Sequence, residues 1–213
     1  MRRRWGPGIE LSNDLSPATW VLAALEGDQR PGRVGGFVPA GFEAYGRILH
    51  PPEAAEGRLP ARECGTLASL LGTFTSTPGT CWFCVWDGYG VGGSPLIRTR
   101  PRIAYLRARA RARIERSRRD RWFRSLPRVH TRTRDYLLFR GDVASAATFW
   151  PSPNIWWPQD RAWCVATDID ARSTYLGGGR ACVDGVLSSN SLEAMEVSID
   201  SPFDPGPDLR LLG

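Results

Sequence analysis

The chain has 213 residues with 28 cationic side chains, all arginine, against 22 acids, a formal charge of +6, and is long enough to bury most of the apolar surface of one ordinary domain. Without a lysine amine, phosphate-loop lysines, Schiff bases and lysine general bases are excluded, and with only His50 and His130 a three-histidine zinc site is excluded as well. Five cysteines do not make the even framework of a small secreted domain, Met1 to Glu10 lacks the apolar run of a secretory signal, and nothing approaches the ~18 apolar residues of a membrane span, so a reducing cytoplasm without membrane contact is expected.

Ser16-Pro17 ahead of Trp20, Val21, Leu22, Ala24 and Leu25, closed by Gly27, predicts a short helix with a hydroxyl cap and proline in its first turn. Arg33 to Val38 and Phe42 to His50 read as extended runs joined in a hairpin around Pro39-Ala40-Gly41. Thr66 to Phe74 predicts a brief helix, and the almost wholly apolar run Cys81 to Trp86 predicts a strand buried on both faces. After a glycine-rich loop, Pro101 opens a predicted arginine-rich helix of roughly two dozen residues, about 35 Å long. Its narrow stripe Ile103, Leu106, Ala110 and Ile114 would dock the first turns on the body.

Asp135 to Phe139 is expected as a strand, and Asp142 as the cap of a helix reaching Trp150. Pro151 to Pro158 reads as a tryptophan-bearing loop, and Arg161 to Ile169 as the next strand. Gly177-Gly178-Gly179 would lead into a helix through Ser189, followed by an edge strand over Leu192 to Val197. This order predicts a single α+β domain with a mixed, mainly antiparallel central sheet, flanking helices and an inserted arginine-rich helix. Residues 1–100 and 127–200 would form the domain, 101–126 the insertion, and 201–213, rich in proline and glycine, a flexible tail.

Charge is distributed very unevenly. Arg98 to Arg140 holds 16 arginines and three acids, while the rest holds 12 arginines and 19 acids. Arg107, Arg109, Arg111 and Arg113 alternate with alanine, and Arg116, Arg118, Arg119 and Arg121 follow. Guanidinium forks suit phosphate oxygens, and several along one rod could follow a nucleic-acid backbone without reading bases. Set against this is a solvated insertion docked on an acidic face of its own domain, or one that meets an acidic partner protein.

The blocks RVGGFVPAGFEAYGRILHP (33–51), CWFCVWDGYG (81–90), RDYLLFRG (134–141) and SPNIWWPQDRAW (152–163) resemble a family of actinobacterial proteins of no established activity. The resemblance covers roughly a third of the chain and implies a shared cytoplasmic fold. Against that family, Pro52 to Thr66 is short, and the arginine helix reads as an insertion before Arg128-Val129.

The remaining constellations are weaker. Cys81-x-x-Cys84 in one strand puts the Cα atoms roughly 10 Å apart, beyond the ~7 Å limit for a disulfide, and on opposite faces; buried free thiols are the expectation for it and for Cys164 and Cys182. Trp156 and Trp157 either line a ligand cleft or fill the core. Asp168 and Asp170, expected on one face of a strand, could bind Mg²⁺ or share acid/base work, and the glycines after them could hold phosphate at a helix start. His50 reads as a strand-end surface residue, and His130 as unremarkable. The reading adopted is an interaction module without a cofactor, binding nucleic acid or another polyanion through its arginines; the competing class is a small ligand-binding or hydrolytic domain with a cleft at Trp156, Trp157, Asp168 and Asp170.

Overall fold

The computed structural model describes residues 8–27, 32–89, 121–132, 134–149 and 151–203. Nine strands form one sheet: β1 (Glu10–Leu11), β2 (Ala44–Leu49), β3 (Cys81–Trp86), β4 (Val129–His130), β5 (Asp135–Gly141), β6 (Ile155–Pro158), β7 (Trp163–Ala166), β8 (Ser173–Gly178) and β9 (Ala194–Val197). Their order is β1-β5-β3-β6-β7-β8-β2-β9, with β4 also on β5, and every pairing among the described strands is antiparallel. The protein is thus an α+β domain around a largely antiparallel sheet. None of its described helices is long and apolar enough to cross a membrane.

Both faces of the sheet are covered, which explains the continuous apolar composition of the central strands. On one face α2 (Ala61–Leu71), α3 (Arg180–Leu187) and a 3-10 segment (Val143–Thr148) pack over Phe83, Leu137, Phe139, Trp156, Trp163 and Val165. On the other, α1 (Thr19–Gly27), entered through a 3-10 turn at Ser16–Ala18, packs over Trp82, Cys84, Leu138, Ile155, Trp157 and Tyr175. Cys81 and Cys84 fall in opposite clusters, as strand alternation requires.

Several expectations hold with altered detail. The first helix forms, but its hydroxyl does not cap it; the Asp14 carboxylate accepts from both the Ser16 amide and the Ser16 hydroxyl, each at 2.9 Å. Asp142 does cap its segment, accepting from the Ser145 amide at 2.7 Å, and the turns it caps are 3-10 rather than α-helical. β9 is an edge strand, paired to β2 alone.

Two expectations are corrected. Arg33 to Val38 is no hairpin arm, because Val34–Gly36 is a 3-10 turn whose Val34 and Gly35 amides donate to the Ser201 and Ile199 carbonyls at 3.0 and 2.9 Å. β2 instead pairs with β8 and β9. The run Pro151 to Pro158 contains β6, in which two consecutive tryptophans face opposite sides of the sheet. The three glycines do lead into a helix, Gly179 standing at the cap of α3, but Gly177 and Gly178 are the last residues of β8: a Cβ on Gly177 would lie 2.5 Å from the Phe42 ring, so glycine is what lets that ring pack.

The stripe Ile103, Leu106, Ala110 and Ile114 lies outside the described residues, as do Arg107, Arg109, Arg111, Arg113, Arg116, Arg118 and Arg119. The chain returns at residues 121–124, which are helical, with Arg121 exposed. Trp122 and Phe123 pack against the core and Leu126 is buried in it. Arg128 clasps this return: its guanidinium donates to the carbonyls of Phe123, Arg124 and Leu126 and to Asp87 Oδ2, at 2.6 Å, just beyond the end of β3. Asp87 and the return at residues 121–128 are therefore joined at one corner of the sheet. At the other end of the chain, Ser201 to Phe203 are held: the Phe203 amide donates to the Gly32 carbonyl and its ring stacks on Phe37 at 4.0 Å. Residues 204–213 lie outside the described range.

Candidate functional site

The polar groups that converge most closely do so at the sheet end where β3, β5, β6 and β7 meet. Asn154, fully buried, holds this corner together: its Oδ1 accepts from the Trp86 amide at 2.8 Å, and its Nδ2 donates to the Thr167 carbonyl at 3.2 Å and the Tyr89 hydroxyl at 3.3 Å. Tyr89 in turn donates to the Gly57 carbonyl at 2.9 Å. Such a closed network fixes the loops that leave these strands.

Asp168 and Asp170 sit beside it, just past the end of β7 rather than alternating within a strand as expected. The strand ends at Ala166, and the chain turns with the Asp170 amide donating to Asp168 Oδ1 at 2.9 Å. Arg134, at the start of β5, bridges the two carboxylates. Its Nε donates to Asp168 Oδ2 at 3.3 Å and its Nη2 to Asp168 Oδ1 at 3.2 Å and Asp170 Oδ2 at 2.8 Å, while the guanidinium lies 5.9 Å from the Trp86 ring centroid. Burial opposes the Arg134 charge, but the hydrogen bonds to Asp168 and then Asp170 outweigh it and raise its pKa. Both carboxylates are thus compensated by a guanidinium, which a metal ion would have to displace. Among the described residues no three His, Cys, Asp or Glu side chains are placed to hold a metal.

A cavity of about 240 Å³ opens next to this cluster, between α1, the turn at Val34–Gly36 and the sheet. Leu22, Leu25, Phe37, Ile155 and Ala166 supply its apolar lining; Tyr136, Thr167, Asp168, Glu26 and Arg132 supply polar groups. Asp168 belongs to both the cavity and the ion cluster. Trp156 and Trp157 do not line it: each is 1% exposed, Trp156 against Trp163 and Phe83 on one face, Trp157 edge-on to Trp20 of α1 on the other. The structure therefore brings Asp168 and Asp170 together and keeps the two tryptophans apart from them and from each other.

The other sequence candidates are accounted for by packing. All five cysteines are free and buried; burial pushes the Cys64 and Cys182 thiols up to about 12 and raises those of Cys81, Cys84 and Cys164 as well, so thiolate is scarce at neutral pH. The amide of Arg180, the first residue of α3, donates to the Glu43 carboxylate at 2.8 Å, which occupies the helix start expected to suit phosphate. His130 is exposed and pairs with Asp135 at 2.7 Å.

His50 is not a surface residue. It lies at the end of β2, its amide on the Arg172 carbonyl and its Nε2 within 2.8 Å of the Thr174 hydroxyl, which continues to Thr167 at 2.8 Å. Burial first, then Arg172 and Arg47, lower its pKa from 6.5 to about 4. Between those values the unfolded chain takes up a proton that the native protein refuses, so stability falls as pH drops through this window, by about 3 kcal/mol over the full shift. Denaturant unfolding at pH 7 and pH 4 should show that loss in the natural protein and a correspondingly smaller one in His50→Gln.

Sequence reasoning missed Arg134, Tyr136 and Asn154. Their signal was present as the blocks RDYLLFRG and SPNIWWPQDRAW, but nothing along the chain links those blocks to α1. No protein-family model matches this chain, nor does any curated protein or solved structure.

Proposed function

We propose that the protein is a cytoplasmic polyanion-binding module that engages nucleic acid through phosphate contacts from its arginine-rich segment, without reading bases and without catalysis. The observation that carries this reading is an electrostatic one. Residues 98–124 hold twelve arginines and two acids, and the acids of the described body are largely engaged where they stand. Asp87 is paired with Arg128, Asp168 and Asp170 with Arg134, Glu56 with Arg172, Asp184 and Glu196 with Arg180, and Asp135 with His130. Asp160 accepts from the hydroxyls of Thr75 and Ser76 and from the Ser76 amide. With these eight carboxylates engaged, the body offers a reduced counter-surface for a dozen guanidiniums. Their field is then available to an external polyanion.

Phosphate contacts release counterions, so log K against log[salt] should slope by about −0.9 for each phosphate contacted on duplex DNA. Replacing Arg107, Arg111 and Arg118 together by Gln is expected to flatten the slope by about 0.9 for every arginine of the three that makes such a contact. An unchanged slope and affinity would remove these arginines from the interface. Binding to an acidic protein but to no nucleic acid would move the reading to its neighbouring class, an interface for an acidic partner.

A further inference from the structure

The cavity beneath α1 contains a polar group that the fold itself does not use. Tyr136 is 6% exposed and lines the cavity, and among the described residues its hydroxyl has no hydrogen-bond partner. The hydroxyl is not one of the fully buried atoms left without a partner; Tyr136 lines the cavity, where the O–H can meet water or a ligand. Burial and, after it, the nearby Asp168 carboxylate hold its pKa well above the ordinary value, so it stands as a neutral O–H donor at any physiological pH. Asp168 lines the same cavity as an acceptor, fixed in place by Arg134 and by the Asp170 amide. A fixed acceptor beside a donor, facing the apolar side chains of Leu22, Leu25, Phe37, Ile155 and Ala166, is the arrangement by which binding sites orient a small molecule.

The chemistry of the lining narrows the ligand. Its charged groups are the carboxylates of Asp168 and Glu26 and the exposed guanidinium of Arg132; Arg134, the cation closest to Asp168, is committed to Asp168 and Asp170. An anionic ligand would therefore meet two carboxylates against one guanidinium, that of Arg132, which is exposed and reaches back to the Glu26 carbonyl at 3.4 Å. The volume of about 240 Å³ lies below the ~300–1,000 Å³ of pockets that take drug-sized ligands. We infer that this cavity binds a small, neutral or cationic nitrogen heterocycle, whose N–H donates to Asp168, whose adjacent ring nitrogen or carbonyl accepts from Tyr136, and whose ring lies against Leu22, Leu25 and Ile155. The inference stands apart from the polyanion reading, since none of these residues belongs to the arginine-rich segment.

The test uses 2-aminopyridine, cytosine and adenine as probes, each carrying an N–H donor next to an acceptor on a small ring, with benzoate and toluene as anionic and apolar controls, titrated calorimetrically and by NMR into the full-length protein. Saturable binding of at least one heterocycle with Kd of about 1 mM or tighter is expected. Tyr136→Phe removes only the unpartnered hydroxyl, so unfolding should be unaltered while affinity for the heterocycle drops about three- to tenfold. Leu22→Trp, on the half-buried side of α1, should fill the chamber and abolish binding with the urea midpoint retained. Absence of binding by all three heterocycles, equal binding of benzoate or toluene, or heterocycle affinity unchanged in both variants would each overturn the assignment.

Discussion

Excising residues 91–120 and closing the gap with a short Gly/Ser loop is expected to leave a folded domain that no longer binds nucleic acid. The excised stretch holds ten arginines and two acids, so the formal charge passes from +6 to −2. What remains keeps the parts that fasten the return to the body: the Asp87–Arg128 pair, the carbonyls that Arg128 caps, and the packing of Trp122, Phe123 and Leu126. A cut extending to residue 126 would remove those three apolar side chains as well and confound charge with stability. A protein making six to ten phosphate contacts owes most of its nonspecific affinity to them, and the loss should be at least about 10³-fold at low salt. Thermal unfolding and a fluorescence titration against duplex DNA at two salt concentrations measure both halves of this expectation. Retained affinity in a folded deletion would place the interface elsewhere on the body. A deletion that fails to fold would make the segment part of the core and its arginines ion-pair partners within the protein.

The sequence made some parts of this molecule legible because they are encoded locally. The helix before Gly27, β3 and its two buried faces, the Asp142 cap and the edge strand β9 are each signalled by a cap residue, an apolar run or a breaker within about ten residues. The parts that were misread depend on partners far away along the chain. Val34 to Gly36 carry β-branched and glycine residues compatible with a strand, but their amides are claimed by Ser201 and Ile199. The prolines at 151, 153 and 158 read as loop punctuation, although Pro158 merely closes β6, where it faces Cys81 of β3. Gly177 reads as part of a helix lead-in because the reason for it, the Phe42 ring pressed on β8, comes from elsewhere in the chain. The cavity was invisible for the same reason. Its wall is α1, its floor lies on β5, β6 and β7, and the place of Tyr136 in its lining is recognisable only once the residues around it are known.

Trp156 and Trp157 allow the packing and cleft readings to be separated directly, because adjacent positions on β6 deliver two large side chains to opposite cores. Trp156 meets Phe83 at 6.2 Å and Trp163 at 5.2 Å between ring centroids, beneath α2 and α3. Trp157 meets Trp20 at 5.9 Å beneath α1, and its carbonyl accepts from the Cys81 thiol at 3.2 Å. Truncating either to alanine deletes a fully buried indole and leaves a void that close-packed neighbours fill only in part, which costs about 3 to 5 kcal/mol. Against a total of about 5 to 15 kcal/mol for a domain, each variant should show a large drop in urea midpoint. The consequences should then diverge. Trp156→Ala acts on the α2 and α3 side and should leave heterocycle binding intact wherever the protein remains folded, whereas Trp157→Ala loosens the seat of Trp20 and with it α1, so the cavity wall moves and the probe affinity falls as well. Side chains that lined an open cleft would instead cost less than about 1.5 kcal/mol on truncation, because they would expose little new surface. A midpoint shift that small in either variant would make that tryptophan a ligand contact rather than a core residue.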